Sequence, residues 1–257
     1  MSNLKEIYDY REMIWMLVRR DLRGRYKGSM LGFLWTFLNP LLQLMVYTVV
    51  FSFIMRAGIE KYYLFLFVAL IPWMFMATSV QGGATCIIAQ KSLVSKIYFP
   101  RQVLPIAHVT TCFVNMLLCF VVVFIVSGIS VGINFKVLPF LIPTMIIEYI
   151  LALGIALIVS GITVYFRDME HILGIFVMAW QFLSPIMYSI DMVPEALRGV
   201  FMLNPMSAII IAYRNIVYEK CAPDMSTMLL ALVTGVVFLV IGWKLFERMQ
   251  KHFAEEL

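Results

Sequence analysis

The chain has 257 residues, 62% of them hydrophobic and 14% charged, and its formal net charge is +5 at pH 7. Soluble domains carry about 25% charged residues and roughly half apolar ones. This composition, with a mean hydropathy of +0.91, excludes an ordinary soluble domain. It predicts an all-α integral membrane protein with a single transmembrane domain over 1–257.

The first predicted element is an amphipathic helix over 4–23. At about 100° per residue its apolar side chains share about a third of the circumference, and most charged ones project elsewhere. Such a helix lies in the plane of the cytoplasmic lipid headgroups. Its end and the residues that follow are strongly basic, with Arg19, Arg20, Arg23 and Arg25. These cations either only anchor the chain to anionic lipid or also brace a cytoplasmic partner.

Six predominantly apolar stretches are long enough to cross a bilayer, which takes about 20 residues at about 1.5 Å each. We predict spans over 30–55, 62–80, 106–127, 138–165, 172–190 and 225–243. With the N-terminus inside, 14 of the 20 Lys and Arg residues fall on the cytoplasmic side. The positive-inside rule therefore predicts that both termini are cytoplasmic.

The connection over 81–105, between the second and third spans, is too long for a simple turn. It predicts a short cytoplasmic helix over 85–97 that ends before Pro100, because a residue preceding proline disfavours the helical conformation. This helix is too polar for the bilayer, yet it carries apolar residues that would be wasted in water. We expect it to dock on another protein. The docking residues predicted are Gln90, Lys91, Ser92, Leu93, Val94 and Lys96.

A second long connection, over 191–224, is external by the same charge count. It contains LNPMSAIIIAYRNIVY. The apolar core of this stretch is about ten residues, which is too short to span a bilayer. We therefore expect an interfacial or re-entrant element.

Glu148 is the one acidic residue within a predicted span. An intramembrane carboxyl is by default a functional hypothesis. A proton-coupled carrier would use it, usually with charged companions in other spans. A helix-packing or water-facing role is the alternative, and the residues leave both open.

The sequence offers little for chemistry at a bound ion or nucleotide. Asp168, Glu170 and His171 form a charged elbow, but no further ligands are nearby to complete a metal shell. The chain lacks the G-x-x-x-x-G-K-[ST] phosphate loop. We therefore expect no metal, no bound cofactor and no enzyme activity, and any ATP hydrolysis must belong to a separate subunit.

Aromatic residues recur at four-residue spacing within the spans. Phe33 and Phe37 form one pair, and Phe176 and Trp180 form another, which Tyr188 continues two turns further on. Rings one helical turn apart can form a ladder for the apolar faces of sugars. They can equally pack the spans or mark the membrane interfaces.

Several stretches, in order and over nearly the whole chain, add up to a family resemblance. They are LVRRDLRGRYKGSMLGFLWTFLNPLLQLMVYTVVF, LVSKIYFPRQVLP, YFRDMEHIL, SPIMY, and VP followed by LNPMSAIIIAYR. Together they resemble the membrane subunits of ABC polysaccharide exporters of the type 2 transporter class. Members of that class export O-antigen, capsular polysaccharide or teichoic acid.

The resemblance implies a homodimer of six-span permeases in the bacterial cell membrane, with two copies of a separate ATPase subunit that binds ATP and Mg²⁺. It makes 4–23 an interface helix, places a coupling helix in 81–105, and places external gate helices in 191–224. A lipid-linked polysaccharide would pass between the permeases, near the arginines and rings such as Trp35 and Phe37. Nucleic acid is not an expected partner.

Two alternatives to a polysaccharide exporter stay open. An ABC exporter of another lipid or of a drug would share the architecture, and a proton-coupled carrier would explain Glu148.

Overall fold

A computed structural model describes residues 2–24, 30–54 and 58–256. Within these ranges the chain forms helices joined by short turns, and no β-strand occurs there. The predicted all-α membrane architecture is thereby confirmed. The helices in chain order are α1 (Ser2–Asp9), α2 (Arg11–Gly24), α3 (Trp35–Thr48), α4 (Tyr62–Thr85), α5 (Lys91–Lys96), α6 (Val103–Ser130), α7 (Leu141–Tyr165), α8 (Met169–Phe182), α9 (Glu195–Leu203), α10 (Pro205–Val217), α11 (Met225–Met249) and α12 (Phe253–Glu256).

Five helical stretches in the described part of the chain are long and apolar enough to cross a membrane. They are Gly32–Ser52, Tyr62–Thr85, Val103–Ser130, Leu138–Tyr165 and Met225–His252. Each coincides with a predicted span, although the helices extend beyond the predicted ends of the second, third and sixth. Met55, the predicted end of the first span, lies outside the described residues.

The predicted span over 172–190 is not one continuous helix. Helix α8 has 14 residues and ends at Phe182, so it is about 21 Å long. The hydrocarbon core of a bilayer is about 30 Å thick. The following helices α9 and α10 meet at 97° and together are long and apolar enough to form a broken span or a re-entrant loop. The interfacial or re-entrant element expected in 191–224 corresponds to this bent pair.

Helix α4 forms the centre of the bundle. It is buried along most of its length and packs against α3, α6, α7, α8 and α10. Helices α3 and α11 are largely exposed on the surface of the single chain. Their apolar faces are therefore available to lipid or to another subunit.

The most extensive helix pair is α7 with α11, and glycines let their backbones approach closely. A Cβ added at Gly242 would lie 2.4 Å from the carbonyl oxygen of Gly154. One added at Gly154 would lie 2.5 Å from the backbone nitrogen of Leu239. Small residues at such crossings are typical of helix packing in membranes.

One end of the bundle is closed by a separate apolar cluster that contains residues from near both ends of the described chain. Leu17 and Val18 of α2 pack there with Val94 of α5, and so do Phe246 of α11 and Phe253 of α12. Helices α2 and α12, near the two ends of the described chain, therefore lie at the same end of the bundle.

The single helix predicted over 85–97 is broken in the structure. Helix α4 continues to Thr85, a 3-10 turn covers Ile88–Gln90, and α5 has only six residues. Gly82 and Gly83 lie inside α4, where neighbouring helices approach them closely. A Cβ at Gly82 would lie 2.5 Å from the ring of His108, and one at Gly83 would lie 3.0 Å from Ala156 Cβ.

At the opposite end of the bundle two lysines hold the C-terminus of α6. Lys61 Nζ donates to the Ser130 carbonyl at 2.7 Å, and Lys220 Nζ donates to the Val131 carbonyl. Cations near the last carbonyls of a helix also oppose the negative end of its dipole. The loops before α4 and α11 are thereby joined to the same helix end.

Candidate functional site

The predicted interface and coupling segments contact each other directly. Arg20 Nη1 donates to Gln90 Oε1 at 3.2 Å, and Arg20 also pairs with Asp21 at 2.9 Å. Tyr10 Oη donates to the carbonyl of Tyr98 at 3.4 Å. The helix predicted over 4–23 is interrupted at Tyr10, between α1 and α2. Because these bonds join α2 and the preceding residue Tyr10 to the 86–102 segment, movement of one can be transmitted to the other.

The structure divides the predicted docking residues into exposed and internal ones. Lys91, Ser92 and Lys96 are exposed, Leu93 and Gln90 are half-buried, and Gln90 is bonded to Arg20. The assignment of Val94 needs correction, because its side chain is 3% exposed and packs inside the chain's own cluster.

The exposed apolar surface beside α5 comes from residues outside the predicted set. Ile97 is 56% exposed and Tyr98 is 78% exposed. Both follow the C-terminus of α5, where the backbone becomes extended. Partly buried Cys86 lies in the same connection, and desolvation raises the pKa of its thiol to about 12. Its neutral form therefore predominates at physiological pH.

The predicted cationic cluster lines an open groove along α2. Arg19, Arg20 and Arg23 border it together with Trp15 and Met16, and its volume is about 650 Å³. Arginine forks suit phosphate oxygens, and the exposed indole suits a lipid interface. The groove is compatible with both sequence alternatives, lipid anchoring and a partner. Arg25 lies outside the described residues.

The predicted aromatic ladder is present only in part. Phe33 and Phe37 have ring centroids 5.5 Å apart, and Phe176 and Trp180 have centroids 5.7 Å apart. Tyr188 does not continue the row, because α8 ends before it. Its ring contacts Phe201 instead, at 6.4 Å. The ring contacts found among the described residues do not link the first pair to the second.

A small cavity lies between α3, α4 and α6, and Trp35 is part of its wall. Its volume is about 100 Å³, and its polar lining comes from Thr36, Asn39, Thr78 and Asn115. The side chains of Thr36 and Asn115 are buried, and their polar atoms have no hydrogen-bond partner in the protein.

Glu148 of α7 is fully buried and bonded to α10. Tyr213 Oη donates to Glu148 Oε2 at 2.7 Å, and both side chains are inaccessible to solvent. The other carboxyl oxygen, Oε1, has no protein partner. A carboxyl that joins two helices and faces neither solvent nor a cavity fits the helix-packing alternative.

The irregular segment after α8 has every carbonyl satisfied from 182 to 188. Arg214 of α10 donates to the carbonyls of Pro185, Ile186 and Tyr188. The remaining four carbonyls accept from other donors. Met187 accepts from Tyr62 Oη and Leu183 from Asn204 Nδ2. Ser184 accepts from the Ile186 N–H and Phe182 from Tyr188 Oη. Non-helical backbone within a membrane bundle requires such internal partners.

Arg214 is itself held from both sides. It is 5% exposed, its guanidinium carbon lies 3.5 Å from the centroid of the Phe65 ring, and its Nε donates to the Phe65 carbonyl at 3.4 Å. Arg214 therefore joins α10 to α4 and to the segment after α8. The corner between α9 and α10 is held by Asn204, which accepts from Trp180 Nε1 at 3.0 Å and donates to Ser184 Oγ at 2.9 Å.

The comparison with known families agrees with this architecture. Residues 12–218 match the family described as ABC-2 type transporter. The chain belongs to the ABC-2 type transporter family.

Three relatives resemble this ABC-2 type chain over nearly its whole length. The O-antigen export system permease protein RfbA of Myxococcus xanthus is 36% identical over 258 residues, covering 99% of this chain and 98% of that protein. A protein of the same description from Klebsiella pneumoniae is 29% identical over 262 residues, with 99% and 97% covered. The polysialic acid transport protein KpsM of Escherichia coli is 26% identical over 243 residues, with 91% and 92% covered.

Sequence reasoning missed three polar residues that the structure of this ABC-2 type chain makes prominent. Arg214 is a charged residue inside the apolar run AIIIAYR, and Asn115 is an amide inside CFVNMLLCF. A polar residue within an apolar run is the signal that could have identified both. Asn204 belongs to the quoted LNP motif, but the motif alone does not reveal its bonds to α8.

Proposed function

We propose that the chain is the membrane permease subunit of an ATP-driven exporter of lipid-linked polysaccharide. The substrate would cross the bacterial cell membrane from its cytoplasmic side. The observation that carries the proposal is the end-to-end similarity to an O-antigen export system permease from Myxococcus xanthus. The similarity to a polysialic acid transport protein of Escherichia coli supports a polymer substrate more generally.

The energy for export would come from a separate ATPase subunit, because the sequence has no phosphate loop. ATP and Mg²⁺ belong to that subunit, and this chain binds no cofactor. Two permeases would pair with two ATPase copies. The largely exposed apolar faces of α3 and α11 are compatible with a second permease and with lipid.

The ATPase would act on the surface formed by α2 and the 86–102 segment. Lys91, Ser92 and Lys96 supply its polar part, and Ile97 and Tyr98 supply exposed apolar anchors. When the ATPase closes on ATP, it would displace α5 and, through the Arg20–Gln90 bond, α2. Both elements pack into the same apolar cluster as the ends of α6 and α11, so the movement would reach the spans.

The substrate would meet two features in turn. The Arg19, Arg20 and Arg23 groove would receive its lipid phosphates on the cytoplasmic side. The sugar chain would then pass rings with exposed faces, of which Trp35 and Phe33 lie near the start of α3 and Phe176 lies on α8. The bent pair α9 and α10 would form the external gate.

A deletion strain of the host tests this proposal. The strain should lose surface polysaccharide and accumulate lipid-linked polymer inside. Expression of the wild-type chain should reverse both changes. It should not reverse them in a host whose partner ATPase carries an inactive nucleotide site. Normal surface polysaccharide in the deletion strain would contradict the proposal.

A further inference from the structure

The cavity between α3, α4 and α6 contains polar groups that have no other use in the structure. Thr36 is 5% exposed and Asn115 is 9% exposed. Thr36 Oγ1, Asn115 Oδ1 and Asn115 Nδ2 all lack a protein partner, and both residues line the cavity. Buried polar groups without a partner destabilise the fold, and nearly all such groups in proteins are paired.

Neighbouring hydroxyl groups on the same helices are satisfied by hydrogen bonds to the backbone of their own helix. Thr78 Oγ1 donates to the carbonyl of Met74 at 2.7 Å, and Thr111 Oγ1 donates to that of Ala107 at 2.8 Å. A hydroxyl in a membrane helix normally satisfies itself in this way. Thr36 makes no such bond. The hydrogen-bonding capacity of Thr36 and Asn115 is therefore directed at whatever enters the cavity.

The chemistry of the wall selects a neutral ligand rich in hydroxyl groups. Each polar group of the wall can donate and also accept a hydrogen bond, as sugar hydroxyls do. These groups are the carboxamides of Asn39 and Asn115 and the hydroxyl of Thr36. Trp35 lies in the same wall, and an indole ring offers an apolar surface to the C–H face of a sugar. Among the described residues that line the cavity, none is Lys, Arg, Asp or Glu. A phosphate or a carboxylate would find no counter-charge there.

The size of the cavity limits the ligand to one small group. At about 100 Å³ it is well below the roughly 300–1,000 Å³ of pockets that enclose drug-sized ligands. It can accommodate hydroxyl groups of one sugar unit while the rest of a polymer stays outside.

We propose that this cavity is a saccharide subsite, in which Asn115 and Thr36 hydrogen-bond one sugar unit of the exported polymer beside Trp35. This proposal rests on the proposed function. It makes Asn115 a residue whose hydrogen-bonding capacity serves the substrate and not the packing of the helices.

The test uses variants that separate binding from folding. Asn115→Leu and Thr36→Val nearly conserve volume and remove the unpartnered atoms, so the melting temperature of the purified chain should stay the same or rise. Initial export rates in the complemented deletion strain should nevertheless fall. We expect a loss of roughly tenfold for Asn115→Leu and of a few-fold for Thr36→Val, as for one or two lost hydrogen bonds.

Ser79→Ala is the matched control. Ser79 of α4 is also fully buried and its Oγ also lacks a partner, but it does not line the cavity. Its replacement should leave export unchanged. As a direct readout, lipid-linked polymer extracted from an ATPase-deficient host should raise the melting temperature of the wild-type chain with its ATPase, and should raise that of Asn115→Leu less.

The outcomes separate this proposal from the proposed function. If the wild-type chain does not restore surface polymer, the proposed function fails. If it does, wild-type export and wild-type stabilisation by polymer in both cavity variants would overturn the subsite. If Asn115→Leu lowers the melting temperature, the subsite is judged from Thr36→Val instead. Full export by folded Thr36→Val would also overturn the subsite. Reduced export by Ser79→Ala would show that the effect is not specific to the cavity and would overturn it too.

Discussion

Removing the guanidinium of Arg214 should destabilise the external half of the bundle. In Arg214→Met the carbonyls of Pro185, Ile186 and Tyr188 lose their donor. Each buried acceptor left unpaired costs about 1–3 kcal/mol. Relief from burying the charged group offsets part of the loss, because desolvating an ion costs several kcal/mol. We expect a net loss of about 3 kcal/mol.

For a chain of this length that loss corresponds to a fall in melting temperature of about 6–12 °C. The measurement is thermal unfolding of the purified chain in detergent or nanodiscs. Arg214→Lys keeps the charge and loses the forked geometry, so it should be intermediate. Export should fall in the same order, because the segment after α8 and the α9–α10 corner lose their shared support.

The matched control is Arg198→Met on α9. Arg198 also donates to two backbone carbonyls, those of Val193 and Asp191, at 2.9 and 2.7 Å. It is partly exposed, so water can replace its bonds, and we expect a loss of about 1 kcal/mol or less. If Arg214→Met melts within about 2 °C of the wild type, the carbonyls of the segment after α8 do not depend on Arg214 and the reasoning is refuted.

Three further predictions concern accessibility, coupling and packing. A membrane-impermeant maleimide applied from outside at pH 7 should label exposed Cys221, whereas partly buried Cys86, with a thiol pKa raised to about 12, should stay unlabelled from either side; labelling of Cys221 only after the membrane is permeabilised would reverse the topology. Ile97→Asp should weaken ATPase binding by about 30-fold, as for a loss of about 2 kcal/mol at a docking anchor, while Ile97→Val should not; equal binding by both would remove Ile97 from the interface. Gly242→Leu should separate α7 from α11 and lower stability by about 1–3 kcal/mol, whereas Gly174→Ala, where a Cβ meets nothing within 4 Å, should not lower it, because Ala has the higher helix propensity; a melting temperature of Gly242→Leu equal to that of the wild type would contradict the close crossing.

The sequence predicts spans well where hydropathy changes sharply at their ends. It fails over 172–190, where the local sign that α8 ends near Phe182 is Pro185, because a residue preceding proline disfavours the helical conformation. The irregular backbone that follows has three of its carbonyls paired by Arg214, 26 to 29 residues further along the chain. A local pattern cannot reveal a partner at that separation.

The same limitation explains the errors in the 81–105 segment. Gly82 and Gly83 lie inside α4, and His108 and Ala156 pack against them too closely for larger side chains. The apolar face of α5 is visible in the sequence, yet the pattern does not tell whether the chain itself or a partner covers it. Val94 is covered by the chain itself, whereas Ile97 and Tyr98 remain exposed.

The polar residues of the spans were the least predictable part of the site. Glu148 was noted because a carboxyl in a span is rare, but its bond to Tyr213 required the packing of α7 on α10. Asn115 and Thr36 gain their significance only from the cavity that three helices enclose. Such a site exists in the tertiary structure and has no linear motif.

The most direct measurement is transport by the purified chain in proteoliposomes, with and without its partner ATPase. Lipid-linked polymer from the host should cross the membrane only when the ATPase and ATP-Mg²⁺ are both present, and an imposed proton gradient should have no effect. Movement by the chain alone down a proton gradient, abolished by Glu148→Gln, would contradict the account and identify a proton-coupled carrier.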